Sequence, residues 1–308
     1  MAYIDTISND RLSITFRLPR NDIIYSKRFD AAGCISRVVL DGKHQFCEPE
    51  MVVVGRPDTH GTGLVGEFKW DALGTEVKKD ESFPKFGVGL LGQIEDNKPY
   101  SHIVHDLYDV EPFETQYEIG DKKAVFVQQS KEWNGIQAII KRVYTIEDNK
   151  LFLNLTVSNT GSKDINMHEY EHNFVSIDHI SVGPGYHLYL PFDKKMNRFE
   201  NCVHMYGRQD LPVPGVLSVS DNRLSWNKFM TDYEYAVLAG KEELADKDFF
   251  WTLEHDDSNA KLTFKVDKNP DLVVYWSIAQ CICQELYIPF NLKPGETGTV
   301  HYEWIFED

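Results

Sequence analysis

Apolar and polar residues alternate one for one in segment after segment, and this period of two restricts the chain to strands. Leu12, Ile14, Phe16 and Leu18 alternate with Arg11, Ser13, Thr15 and Arg17. On an extended backbone successive side chains point to opposite faces, so each such run is a half-buried strand. Leu151, Leu153, Leu155 and Val157 repeat the pattern, as do Leu262, Phe264 and Val266, and finally Val300, Tyr302, Trp304 and Phe306. Turn signals separate the runs: Asp41-Gly42, Asn134-Gly135, Asp148-Asn149, Asn159-Thr-Gly161 and Pro294-Gly295. A helical stripe is nearly absent, and only Gly240 to Lys247 is expected to form a short surface helix. No Pro/Gly/Ser-rich linker divides the chain, and no fixed repeat marks propeller blades. The expected architecture is all-β: one large antiparallel β-sandwich over residues 1–308, with a concave face open to a ligand.

Composition narrows the partners. Lys+Arg 32 against Asp+Glu 48 leaves a formal net charge of −16. Phosphate-backbone affinity comes from Lys and Arg displacing counterions, so nucleic acid and anionic membrane are expected not to be partners. Aromatic residues make up 13% of the chain, which favours strands and supplies flat apolar faces for sugar rings. Cys34, Cys47, Cys202, Cys281 and Cys283 are odd in number and irregularly spaced, the pattern of buried reduced thiols rather than a disulfide framework. The first residues show no basic segment followed by an apolar one, and no run reaches the about 18 apolar residues of a membrane span. A cytoplasmic location is expected.

Gly61-Thr-Gly63-Leu-Val-Gly66 satisfies the glycine spacing of a dinucleotide-binding turn, but no helical stripe follows it. A flexible loop near a site is expected there instead. The segment from Met167 to His179 is more informative, because it contains His168, His172 and His179. On a strand, His168, Tyr170, His172 and Phe174 share one face, and Glu169, Glu171 and Asn173 the other. His168 and His172 would then stand about 13 Å apart, too far to ligate one ion. An acid–base role asks only for one imidazole partnered by a carboxylate from elsewhere in the fold.

The segment from Ser158 to Phe174 resembles the centre of the galactose mutarotase-like, or aldose 1-epimerase, superfamily: a strand, an Asn-x-Gly turn, then a strand leading to a His followed by an aromatic residue. Ile282 to Thr297 resembles its second signature, a Glu on a late strand, then Pro-Gly-Glu and a final strand. Phe29 to Leu40 and Phe83 to Leu91 look like a divergent bacterial branch. The resemblance implies the β-sandwich already inferred from periodicity. It also implies mutarotation, in which a base takes the proton of the anomeric hydroxyl while an acid protonates the ring oxygen. By similarity Glu285 is the base and His172 the acid, with no nucleotide, metal or other cofactor required. Both groups must then face one cleft, expected to be about a pyranose apart.

The Asn-Arg and His-Gly-Gly segments of classical members are absent, and His60-Gly61 is only a fragment of the second. His102 is the preferred second imidazole, and Lys85 and Glu67 are the candidates for contacts to sugar hydroxyls. The branch acting on hexose 6-phosphates carries an arginine pair for the phosphate. Arg56 is the only Arg between Arg37 and Arg142, so an unphosphorylated hexose is expected. The expected partner is a small carbohydrate, bound by a monomer or homodimer. The alternative reading is a carbohydrate-binding sandwich without catalysis.

Overall fold

The computed structural model describes residues 3–20, 26–50, 61–70, 73, 77–93, 108–191, 215–220, 222–240 and 249–308. Their strands, in chain order, begin β1 (Ile4–Ser8), β2 (Leu12–Arg17), β3 (Ile35–Leu40), β4 (His44–Gln45), β5 (Leu64–Lys69), β6 (Ser82–Lys85), β7 (Gly89–Gln93), β8 (Tyr108–Pro112), β9 (Glu114–Ile119), β10 (Lys123–Gln129) and β11 (Ala138–Glu147). They continue β12 (Lys150–Asn159), β13 (Ile165–Asn173), β14 (Tyr186–Tyr189), β15 (Leu217–Ser220), β16 (Arg223–Trp226), β17 (Glu234–Gly240), β18 (Phe249–His255), β19 (Lys261–Val266), β20 (Leu272–Ser277), β21 (Ile282–Leu292) and β22 (Thr297–Glu307). Among the described residues there is no helix, and none long and apolar enough to cross a membrane.

Two large antiparallel sheets form the sandwich. One runs β1-β2-β3-β5-β13-β21-β20-β17 with β4 on β3, and the other runs β15-β16-β14-β18-β19-β22-β12-β11-β10-β9. A small third sheet, β6-β7-β8, completes the fold. The alternating runs in the sequence become β2, β12, β19 and β22, and in each the apolar set is buried. The turn signals act through backbone conformation. Asp41 and Gly42 take φ of 51° and 67° between β3 and β4, and Asn134 and Gly135 take 50° and 87°. Type I′ hairpin turns require such positive values.

One apolar cluster fills the space between the large sheets, with Phe16, Phe126, Leu153, Trp251, Phe264 and Trp304 among its members. Two hydrogen bonds cross this interior to β13. Trp304 Nε1 donates to Asn173 Oδ1 at 2.9 Å, and the Tyr302 hydroxyl donates to Glu169. These contacts fix which way β13 faces: Glu169, Glu171 and Asn173 point toward the opposing sheet.

Two expectations change. Gly61 to Gly66 is a loop only as far as Gly63, because Leu64–Lys69 is strand β5, paired with β13 from His168↔Lys69 to Asn173↔Leu64. Its glycines answer close approaches: a Cβ on Gly61 would lie 2.0 Å from the Phe174 ring, and one on Gly66 would lie 3.1 Å from Glu169 and 3.3 Å from Glu171. Of the expected helix, Gly240 instead ends strand β17, and the rest lies outside the described residues. Cys34, Cys47, Cys281 and Cys283 are free and buried as expected, and Cys202 lies outside the described residues.

Candidate functional site

Register places the site. Because β13 pairs with β5 on one side and β21 on the other, residues of equal parity line up in rows across the outward face. On β5, Val65 stands beside His172 and Glu67 beside Tyr170. On the other side β13 meets β21 from Ile165↔Leu292 to Glu169↔Ile288, and the bridge Val175↔Ile282 keeps the same register. His172 therefore stands opposite Glu285, and Tyr170 opposite Tyr287. Beyond β21, Val274 lies beside Glu285 and Trp276 beside Cys283 on β20.

Side-chain geometry closes these rows into a pair. His172 Nε2 lies 3.2 Å from Glu285 Oε1, and both side chains are about 5% exposed or less. The Tyr287 hydroxyl donates to the other carboxylate oxygen, Oε2, at 2.8 Å. His172 Nδ1 is buried with no hydrogen-bond partner among the described residues. Aromatic rings wall the imidazole: Phe174 stacks on it at 4.1 Å between centroids, Phe29 meets it edge-on at 5.1 Å and Trp276 lies 5.9 Å away.

A second polar group lies alongside. Glu67, fully buried, accepts from Arg28 Nε at 2.6 Å, from Lys85 Nζ at 2.9 Å and from the Tyr170 hydroxyl. Lys85 Nζ also donates to the Phe68 carbonyl at 2.5 Å. Burial by itself would lower the Arg28 pKa, but the charges of Glu67 and Glu285 raise it well above the usual value, so the guanidinium stays charged. Tyr170 stacks on Tyr287 with centroids 4.3 Å apart, which ties this group to Glu285. Burial first, then the neighbouring carboxylates, pushes both tyrosines far above the usual phenol value, so both keep their protons. At the row's outer end His168 Nε2 lies 3.2 Å from Asp271 Oδ2.

Behind the site, on the inward face of β13, lies a buried ionisable cluster of Asp30, Arg142, Glu169 and Glu171, with Arg142 ion-paired to Asp30. One cation cannot compensate three carboxylates in a dry interior, so protons are retained. Burial, opposed by Arg142, lifts Asp30 to about 6. Burial, opposed by the Tyr302 hydrogen bond and Arg142, lifts Glu169 to about 7. Burial and the neighbouring Glu169 push Glu171 well above the usual carboxylate range.

The fold thus brings together His172, Glu285, Glu67 and Lys85, whereas His102 lies outside the described residues. The acid and base candidates stand on one face, 3.2 Å apart and much closer than a pyranose. Sequence reasoning missed Arg28 and Tyr287. Tyr287 carried a signal: two residues beyond Glu285 on a strand, it had to share that face. Arg28 carried none, since it reaches Glu67 from the segment between β2 and β3.

Structural comparison agrees with this architecture. A galactose mutarotase-like protein from Lactobacillus casei superposes with a TM-score of 0.60 at 14% identity, covering 99% of this chain and 100% of that one. The galactose mutarotase related enzyme from Lactobacillus acidophilus gives 0.54 at 14% identity, over 99% and 98%. The Slr1438 protein from Synechocystis sp. PCC 6803 gives 0.60 at 10% identity, over 100% and 96%. No family model and no curated protein sequence matches the chain. The chain has the galactose mutarotase-like fold.

Proposed function

We propose that the protein is an aldose 1-epimerase-like enzyme that interconverts the α and β anomers of an unphosphorylated hexose. The observation that carries this reading is the contact of His172 Nε2 with Glu285 Oε1 at 3.2 Å on an aromatic-walled face. Glu285 removes the proton from O1 while His172 protonates the ring oxygen O5, and the C1–O5 bond breaks to give the open-chain aldehyde. Rotation about C1–C2 presents the other face of the carbonyl, and the two proton transfers reverse as the ring closes. O1 and O5 are bonded to the same carbon, so acid and base belong side by side, not a sugar ring apart. A positioned acid or base is typically worth about 10² to 10⁴ in rate, sufficient for a reaction that already proceeds in water.

Neutral sugar is favoured by how the cations are used. Arg28 and Lys85 both direct their charge to Glu67, which leaves a hydroxyl-sized rather than a phosphate-sized demand at the site. In this reading Glu67 and Lys85 hold Arg28 and Tyr170 against the sugar hydroxyls, and His102 supplies a further contact. Anomer exchange measured by NMR on a panel of hexoses tests the proposal. Acceleration by the wild type, abolished in the His172→Ala/Glu285→Gln double variant, is expected; acceleration that survives the double variant refutes the assignment.

A second reading is favoured by one observation: both oxygens of Glu285 are already engaged, by His172 and Tyr287. A sugar-binding protein without catalysis would have this saturated pair. Sugar-induced shifts in the NMR spectrum with no faster anomer exchange distinguish it.

A further inference from the structure

We propose that Tyr287 is the positioning residue of the acid–base pair: it holds one oxygen of Glu285 so that the other is presented to His172 and the substrate. The inference rests on the proposed function and names a residue that reading does not use. Tyr287 and Glu285 alternate on β21 two positions apart, so their side chains leave the same face. The hydroxyl of Tyr287 reaches Glu285 Oε2 at 2.8 Å, while Oε1 faces His172.

The ring that carries this hydroxyl is held from several sides. Tyr170 stacks against it at 4.3 Å with only 21° between planes. The Tyr170 hydroxyl is tied to Glu67, and Glu67 is fixed by Arg28 and Lys85. Lys69 Nζ lies 5.6 Å from the Tyr287 centroid, and the His168 ring 6.2 Å. Val274 packs in the same buried cluster as Tyr170 and Tyr287. The ion pairs around Glu67 therefore reach the reacting carboxylate as a fixed orientation, transmitted through a pair of stacked rings.

A hydroxyl that donates to one carboxylate oxygen fixes where the other points. Tyr287 thus restricts Glu285 to one rotamer, with Oε1 turned toward His172.

Tyr287→Phe preserves the ring stack and removes only the hydroxyl. Loss of one such bond to a charged acceptor is expected to lower kcat for anomer exchange about tenfold or more, with KM changed less than about threefold. Tyr170→Phe is the comparison: it keeps the stack and leaves the hydroxyl on Glu285 in place, so its effect should fall on KM rather than on kcat. An unchanged kcat in Tyr287→Phe, or an equal fall of kcat in Tyr170→Phe, overturns the inference. If the wild type accelerates exchange of no sugar, the proposed function fails, and the positioning role is then read without catalysis. The carboxylate carbon resonance of labelled Glu285, identified through Glu285→Gln, should move in Tyr287→Phe as the bond to Oε2 is lost and further rotamers are populated. An unmoved Glu285 resonance refutes the role.

Discussion

Stability should fall as pH rises through neutrality, because the interior behind β13 stores protons that the unfolded chain releases. Asp30 and Glu169 have folded pKa values of about 6 and about 7, and Glu171 lies higher. In the unfolded chain these groups titrate near the usual carboxylate value of about 4. A carboxyl whose pKa is raised by folding stabilises fully below its unfolded value and loses that contribution as pH climbs through its folded value. Each carboxyl protonated only in the folded chain costs about 1.4 kcal/mol per pH unit. Glu169 and Glu171 together give roughly 3 kcal/mol per unit between about pH 5 and pH 7, with Asp30 adding to the lower part of that range. The opposing groups contribute no slope there: Asp41 and Asp178 are lowered, hence ionised in both states above about pH 5. Urea unfolding followed by tryptophan fluorescence over this range measures the effect. Glu171→Gln should flatten the slope by about 1.4 kcal/mol per unit and stabilise the protein on the alkaline side. A midpoint that stays level or rises from about pH 5 to pH 7 refutes the reasoning.

Other consequences are local. Gly66→Ala adds a methyl 3.1 Å from Glu169 Oε1, 3.3 Å from Glu171 Oε1 and 3.4 Å from Arg142 Nη2, and this crowding should cost about 1 to 3 kcal/mol in a thermal melt. A melting temperature equal to wild type would show that β5 and β13 are not packed as described. Arg28→Met leaves Glu67 with Lys85 as its remaining cationic partner among those described, and should raise KM for sugar by about tenfold or more, with a smaller change in kcat. Unchanged steady-state kinetics would remove Arg28 from the site.

Much of the fold was legible because the period of two survives in strands with one buried face. Leu151 to Val157 and Val300 to Phe306 read directly as β12 and β22. β5 was not legible, since all but the last of its residues are buried and alternation vanishes when both faces are covered. Its Gly66 was expected in a flexible loop, whereas it lies on β5 and makes room for Glu169, Glu171 and Arg142. At the site, parity along β13 correctly grouped His168, Tyr170, His172 and Phe174, and Glu285 came from resemblance. Parity cannot say which strand lies alongside, so the Glu67–Tyr170–Tyr287 row became visible only with the registers of β5, β13 and β21. Arg28, on the segment between β2 and β3, lies beyond any periodic signal.

The central claim, that His172 and Glu285 open and close a hexose ring, meets its most direct test in polarimetry of a freshly dissolved single anomer. The wild type should bring optical rotation to its equilibrium value faster than buffer alone, and Glu285→Gln should slow this by about 10² or more. Equal traces for wild type, Glu285→Gln and buffer across neutral hexoses would contradict the account.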